Sequence, residues 1–105
     1  MKREIILTVH NSGSENYRLF LSEEDSSIIE PSSANSISTS LGNGLIRIGA
    51  LRTYHNHNNI GSPEINSWIK ENGYHIYPRN NNTKLIFNVK IEGDSHHYEF
   101  YNNQA

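Results

Sequence analysis

Six histidines are the residues of this chain best suited to chemistry: His10, His55, His57, His75, His96 and His97. His55-Asn56-His57 is an H-x-H pair. On extended backbone, alternate side chains share a face, so both imidazoles can reach one metal ion. A third ligand would come from another histidine or a carboxylate, giving the His/carboxylate type of site used by zinc, iron or manganese enzymes. Against this stands the ordinary behaviour of histidines in a polar, Asn-rich loop, which is solvation. The same letters are not an HNH nuclease signature, whose residues are spread over a longer ββα unit. His55 and His57 are therefore weak metal candidates, carrying as the rival function a metal- or histidine-dependent hydrolase or nuclease. The preferred reading holds no cofactor and is non-enzymatic.

Two other groups invite a function. Arg47, Arg52, Tyr54, His55 and His57 interleave cations and aromatics, a pattern that binds phosphate and stacks bases, and Arg79 and Lys84 flank a nearby turn. A single-stranded nucleic-acid binder is thus a second alternative. The net charge of -2 argues against it, because phosphate neutralisation supplies most non-specific affinity. Arg47 and Arg52 have an alternative role in pairing with the acids at 23–25. The third group is Lys90, His97, Glu99 and Tyr101, which share the outer face of a C-terminal hairpin. They are able to move protons, but equally form an exposed face with weak ion pairing. Tyr54, Tyr77 and Tyr101 are contact aromatics of the kind found at adaptable binding surfaces.

The absences are informative. The chain has no cysteine, which removes disulfides, thiolate nucleophiles and cysteine metal sites. It lacks the glycine-rich phosphate loops, the G-x-S-x-G elbow and H-E-x-x-H. Serine is abundant, at 13 residues, yet no serine has a His/Asp context in the sequence. No run approaches the roughly 18 apolar residues of a membrane span, and the apolar start at Ile5-Ile6-Leu7 is too short for a signal-peptide core. A cytoplasmic location is the plainest expectation.

The elements that position these residues follow from periodicity. At 105 residues a single domain over 1–105 is expected. Apolar residues make up only 34%, with the difference filled by 15 Asn and 13 Ser, so the core must be small. Residues 4–10 and 16–21 read as a hairpin around Asn11-Ser12-Gly13-Ser14. Residues 22–35 begin with an acidic loop and reset at Pro31. Residues 36–41 form a polar strand, Gly42-Asn43-Gly44 a turn, and 45–52 a central strand. Residues 55–61 read as a polar loop. Ser62-Pro63-Glu64 opens a helix over 63–72, with Ile65, Trp68 and Ile69 on its apolar stripe. Residues 74–77 read as a short strand. Residues 84–92 and 95–101 pair across Gly93-Asp94, with Val89 opposite Tyr98 and Phe87 opposite Phe100. The fold expected is mainly β (α+β): a compact antiparallel sandwich or curled sheet of about seven strands with one helix.

These elements favour a small binding module. It would recognise a protein partner, of the inhibitor or immunity type, or a glycan. Its contact surface would come from the 53–61 loop (Tyr54, His55, His57) with Arg52 just before it, the 78–83 turn (Arg79) with Tyr77 just before it, and the outer hairpin face (Lys90, His97, Tyr101). An edge strand leaves homodimer formation open.

Overall fold

A computed structural model describes residues 2–41, 47–48, 54–56 and 58–103. The chain is mainly β. Its strands are β1 (Lys2–Asn11), β2 (Tyr17–Phe20), β3 (Ser36–Ser40), β4 (Arg47–Ile48), β5 (Tyr54–Asn56), β6 (Asn59–Gly61), β7 (Lys84–Glu92) and β8 (Ser95–Asn103). Two α-helices, α1 (Glu23–Ile29) and α2 (Pro63–Glu71), and a 3-10 turn at Pro31–Ser33 complete the described elements. Among the described residues the strands form one sheet in the order β4-β3-β8-β7-β1-β2-β6-β5.

The sheet is one-sided because its three middle strands alternate. Ile5, Leu7 and Val9 of β1, Leu85, Phe87 and Val89 of β7, and Tyr98 of β8 are all buried. Register places Ile5 opposite Phe87 and Val89 opposite Tyr98, so these residues share one face. Helix α2 covers that face. Ser62 caps it by accepting the Ile65 N–H at 3.1 Å, and Pro63 occupies its first turn. Its buried stripe is Ile65, Trp68 and Ile69. The Trp68 ring meets Phe100, Tyr74 and Phe87 edge-on, with centroids 5.0, 5.3 and 6.3 Å apart. Trp68 is thus the anchor expected of it.

The final hairpin takes the register expected from sequence, Glu92 opposite Ser95 and Phe87 opposite Phe100. Gly93 makes the turn with φ 62, a left-handed conformation glycine adopts without a Cβ clash. The first hairpin is also present, with Val9 opposite Leu19.

Four local expectations are corrected. The acidic segment at 23–29 is helical: Ser22 accepts the Asp25 N–H at 3.1 Å, and Ile29 is buried. Residues 54–56 and 59–61 are paired strands at the end of the sheet rather than loop. Residues 74–77 are not a strand: 74 and 75 turn and 76 and 77 are irregular, since the Tyr74 N–H donates to the Ile69 carbonyl at 3.0 Å while its ring packs on Trp68. The described part of the 45–52 strand, β4, pairs with β3 alone among the described residues and ends the strand order instead of lying centrally. Residues 42–46 and 49–53 lie outside the described residues.

A fifth difference concerns direction. β3 runs parallel to β8. The turn residue Asp94 fixes this: its carbonyl accepts the Asn35 N–H at 2.9 Å, and its carboxylate accepts from the Asn35 side chain. The start of β3 is thereby pinned beside the start of β8.

The Tyr98 hydroxyl is buried and has no hydrogen-bond partner among the described residues. Burial pushes its ionisation well above the ordinary tyrosine value. The unfolded chain therefore loses this proton near pH 10 while the folded chain keeps it. Stability from this group is intact below pH 10 and falls by about 1.4 kcal/mol per pH unit above it. Tyr98→Phe should leave stability at pH 7 unchanged or higher, because it deletes an unpaired buried polar group. It should also flatten the alkaline loss. Urea denaturation at pH 7 and at pH 10–11.5 measures both. A destabilised Phe variant at pH 7 would show that the hydroxyl is bonded.

Candidate functional site

The face of the sheet opposite α2 carries the polar phase of each strand. Register aligns its side chains in rows that cross the strands. One row is Ser38, His97, Lys90 and Lys2; the next is Ser40, Glu99, Asn88 and Glu4. His97, Lys90 and Glu99 are thus on one face, as expected from sequence.

His97 is held between two serines of β3. Ser38 Oγ lies 2.6 Å from Nδ1, and Ser40 Oγ lies 3.1 Å from Nε2. A neutral imidazole has one N–H and one acceptor nitrogen, so one serine accepts from the ring and the other donates to it. Both hydroxyls rotate to suit either tautomer. The ring plane is fixed in consequence. Lys90, opposite His97, pairs with Glu92 at 2.8 Å. The Glu92 hydrogen bond and charge hold the Lys90 ammonium above its usual range, and Lys90 holds the Glu92 carboxyl below its own. Both side chains are well exposed, so the pair orients more than it stabilises. A concavity of about 360 Å³ lies over Ser38, His97, Lys90, Glu92 and Ser95.

Ser38 and Ser40 are the site residues that sequence reasoning missed. The signal was present, since Ser36, Ser38 and Ser40 occupy one phase of an alternating strand. What sequence did not show was the parallel pairing that brings them to His97. The parallel pairing gives Ser38 and Ser40 a histidine neighbour.

Further along the same face the polarity changes. Ile6 lies opposite Ile86, and Thr8 lies between Phe20 and Lys84. Ile6 is 38% exposed, while Ile86 and Phe20 are half-buried. His10 stacks edge-on against Phe20 with centroids 4.9 Å apart. Near this patch the β7–β8 register shifts by one residue: Phe87 pairs with Phe100 but Ile86 with Asn102. Tyr101 is the extra residue of this bulge, and its side chain is 66% exposed. Ile6, Ile86 and Phe20 were also missed, although each sits among polar residues of its own phase.

The remaining expected contact residues are dispersed. Tyr77 is half-buried; burial raises its hydroxyl ionisation, helped by nearby Tyr17 and offset by the Asn11 backbone. Arg79 is exposed in the turn before β7. Tyr54 and His55 lie on β5, level with Gly61 and Ile60, at the far end of the sheet from β8. Arg52 and His57 lie outside the described residues. Asp25, one of the acids proposed to hold Arg47 and Arg52, faces Arg3 at 3.5 Å. Among the described residues no three His, Asp or Glu side chains converge as a metal would require. No described helix is long and apolar enough to cross a membrane. Comparison with known protein families, characterised proteins and solved structures finds no match to this chain.

The serine clamp on His97 is measurable. Ser38→Ala, His97→Ala and the double variant form a thermodynamic cycle. The expected coupling is about 0.5–1.5 kcal/mol, the net worth of one hydrogen bond. A coupling of zero in urea denaturation would mean that the 2.6 Å contact does not hold in solution.

Proposed function

We propose that this chain is a protein-binding module that docks through the face of its sheet opposite α2. One observation carries the reading. Ile6, Ile86 and Phe20 form an apolar patch, bordered by Lys2, Glu4, Lys84, Asn88, Lys90 and Glu99, and the exposed, bulged Tyr101 precedes Asn102, the register partner of Ile86. An apolar, aromatic centre inside a polar rim is the anatomy of protein interfaces. Large exposed apolar side chains of this kind also dominate binding energy when a partner desolvates them. The mixed charges of the rim suit a partner surface of alternating sign rather than a polyanion. The clamped His97 adds a hydrogen-bonding group whose orientation is set in advance, which lowers the ordering cost of contact.

A glycan is the second reading. The Ser38, His97, Lys90 and Glu92 concavity supports it, because fixed hydroxyl, imidazole and charged groups suit sugar hydroxyls.

Tagged protein should retain a stoichiometric partner from the lysate of its own cell at both low and high salt. Ile6→Lys and Tyr101→Ala should each abolish retention, whereas Lys70→Ala on α2 should not. Folding of each variant is checked by amide NMR spectra. Retention that survives both face variants would refute the face as the docking surface, and retention lost only in Ser38→Ala or His97→Ala, with glycan eluting the partner, would favour the second reading.

A further inference from the structure

A second recognition feature lies beside that face, at an edge of β1 that the sheet leaves open. β1 is ten residues long and β2 only four. On its other side β1 is paired with β7 from Lys2 to Thr8. Toward β2 it is paired only from Thr8 to Asn11.

Val9 donates its N–H to the Thr83 carbonyl at 2.9 Å, and its own carbonyl accepts from Asn82 Nδ2 at 2.7 Å. Both partners lie on the β7 side. In a strand, the backbone groups of successive residues point to opposite edges. Arg3, Ile5 and Leu7 therefore address β7, while Glu4 and Ile6 address the side where β2 has ended. Among the described residues no backbone partner meets the N–H or carbonyl of Glu4 or Ile6. The chain that would have continued β2 turns away: Leu21 donates to the Asn58 carbonyl at 2.6 Å, and Ser22 caps α1.

The result is a notch in the sheet. A concavity of about 510 Å³ separates Glu4, Ile6 and Lys84 from Ser22, Glu24 and Asp25. Its walls carry three carboxylates, Glu4, Glu24 and Asp25, against two cations, Arg3 and Lys84. Asp25 is engaged by Arg3, which leaves Glu4 and Glu24 as exposed acids. An open edge with unmatched donors and acceptors is a template for strand addition.

We propose that this notch accepts a short extended segment of a partner protein as an added antiparallel strand beside β1, with a basic side chain opposite Glu4 and an apolar one opposite Ile6. The segment donates to and accepts from the Glu4 and Ile6 backbone, which supplies affinity without regard to sequence. The side chains opposite Glu4 and Ile6 supply selectivity through cross-strand pairing. This goes beyond docking on the sheet face, and either can fail alone, because the probe below reads the edge and not the face.

The test uses capped five-residue peptides, Thr-Val-Thr-Lys-Thr and its Lys→Glu counterpart, titrated into the labelled full chain and followed by amide NMR. In the peptide-free protein, Glu4 and Ile6 amides should exchange with solvent much faster than Ile5 and Leu7. On titration, the Lys peptide should shift Glu4 and Ile6 first and slow their exchange. N-methylation of its Val and Lys, whose N–H groups face β1, should abolish binding; N-methylation of the central Thr should not. The Glu peptide should bind about fivefold more weakly, and Glu4→Lys should reverse that preference. Slow exchange of Glu4 and Ile6 in the peptide-free chain, no shift at millimolar peptide, or binding indifferent to which amides are methylated would each overturn the proposal.

Discussion

The structure depends on burying one face of the sheet and only one. With apolar residues at 34%, the chain lacks the side chains to fill two layers of core. Ile5, Leu7, Val9, Leu85, Phe87, Val89 and Tyr98 supply a continuous inner surface, and the Trp68 face of α2 seals it. Every other feature follows from that division. The opposite phase of each strand is released from packing and carries the hydroxyls, imidazole and charges. Where Ile6, Ile86 and Phe20 break that polarity, nothing in the core requires them to do so. Their presence on the outer phase is the sheet's departure from its own alternation, and it is the ground for the docking face proposed above.

Within that division the strand lengths matter as much as the side chains. β2 ends at Phe20 because Leu21 turns its backbone to Asn58 and Ser22 begins a helix. At Gly61 an added Cβ would approach the Arg18 side chain to 2.9 Å, so a larger residue there would have to displace that side chain. Arg18 lies there because its Nε donates to Asn59 Oδ1 at 2.6 Å. The β2–β6 contact is thus specified by an arginine laid over a glycine. The consequence is a sheet that is complete at its centre and notched beside β1.

The parts legible in the sequence were those set by local chemistry. Ser62-Pro63 announced α2, and Gly93-Asp94 announced the last turn; alternation in 84–92 then fixed the register of the final hairpin. That register was enough to group Lys90, His97 and Glu99 correctly. What was not legible depended on distant contacts. Helix α1 is seven residues long with apolar residues only at its end, so periodicity could not reveal it. The parallel arrangement of β3 with β8 rests on Asn35 meeting Asp94, 59 residues apart. Without it, Ser38 and Ser40 were merely two polar residues of a strand. The β5–β6 pairing forms from a segment with almost no apolar signal, and is held by Leu19 packing beside Ile60. The 74–77 segment has strand-like composition, yet Tyr74 is drawn onto Trp68 and the chain turns.

One measurement addresses the one-sided sheet directly: amide and methyl relaxation by a soluble paramagnetic probe along β1 and β7. The account predicts strict alternation, with Glu4, Ile6, Ile86 and Lys90 strongly relaxed and Ile5, Leu7, Phe87 and Val89 shielded. Shielding of Ile6 and Ile86 equal to that of Leu7 and Phe87 in the isolated chain would contradict it, because the outer face would then already be covered.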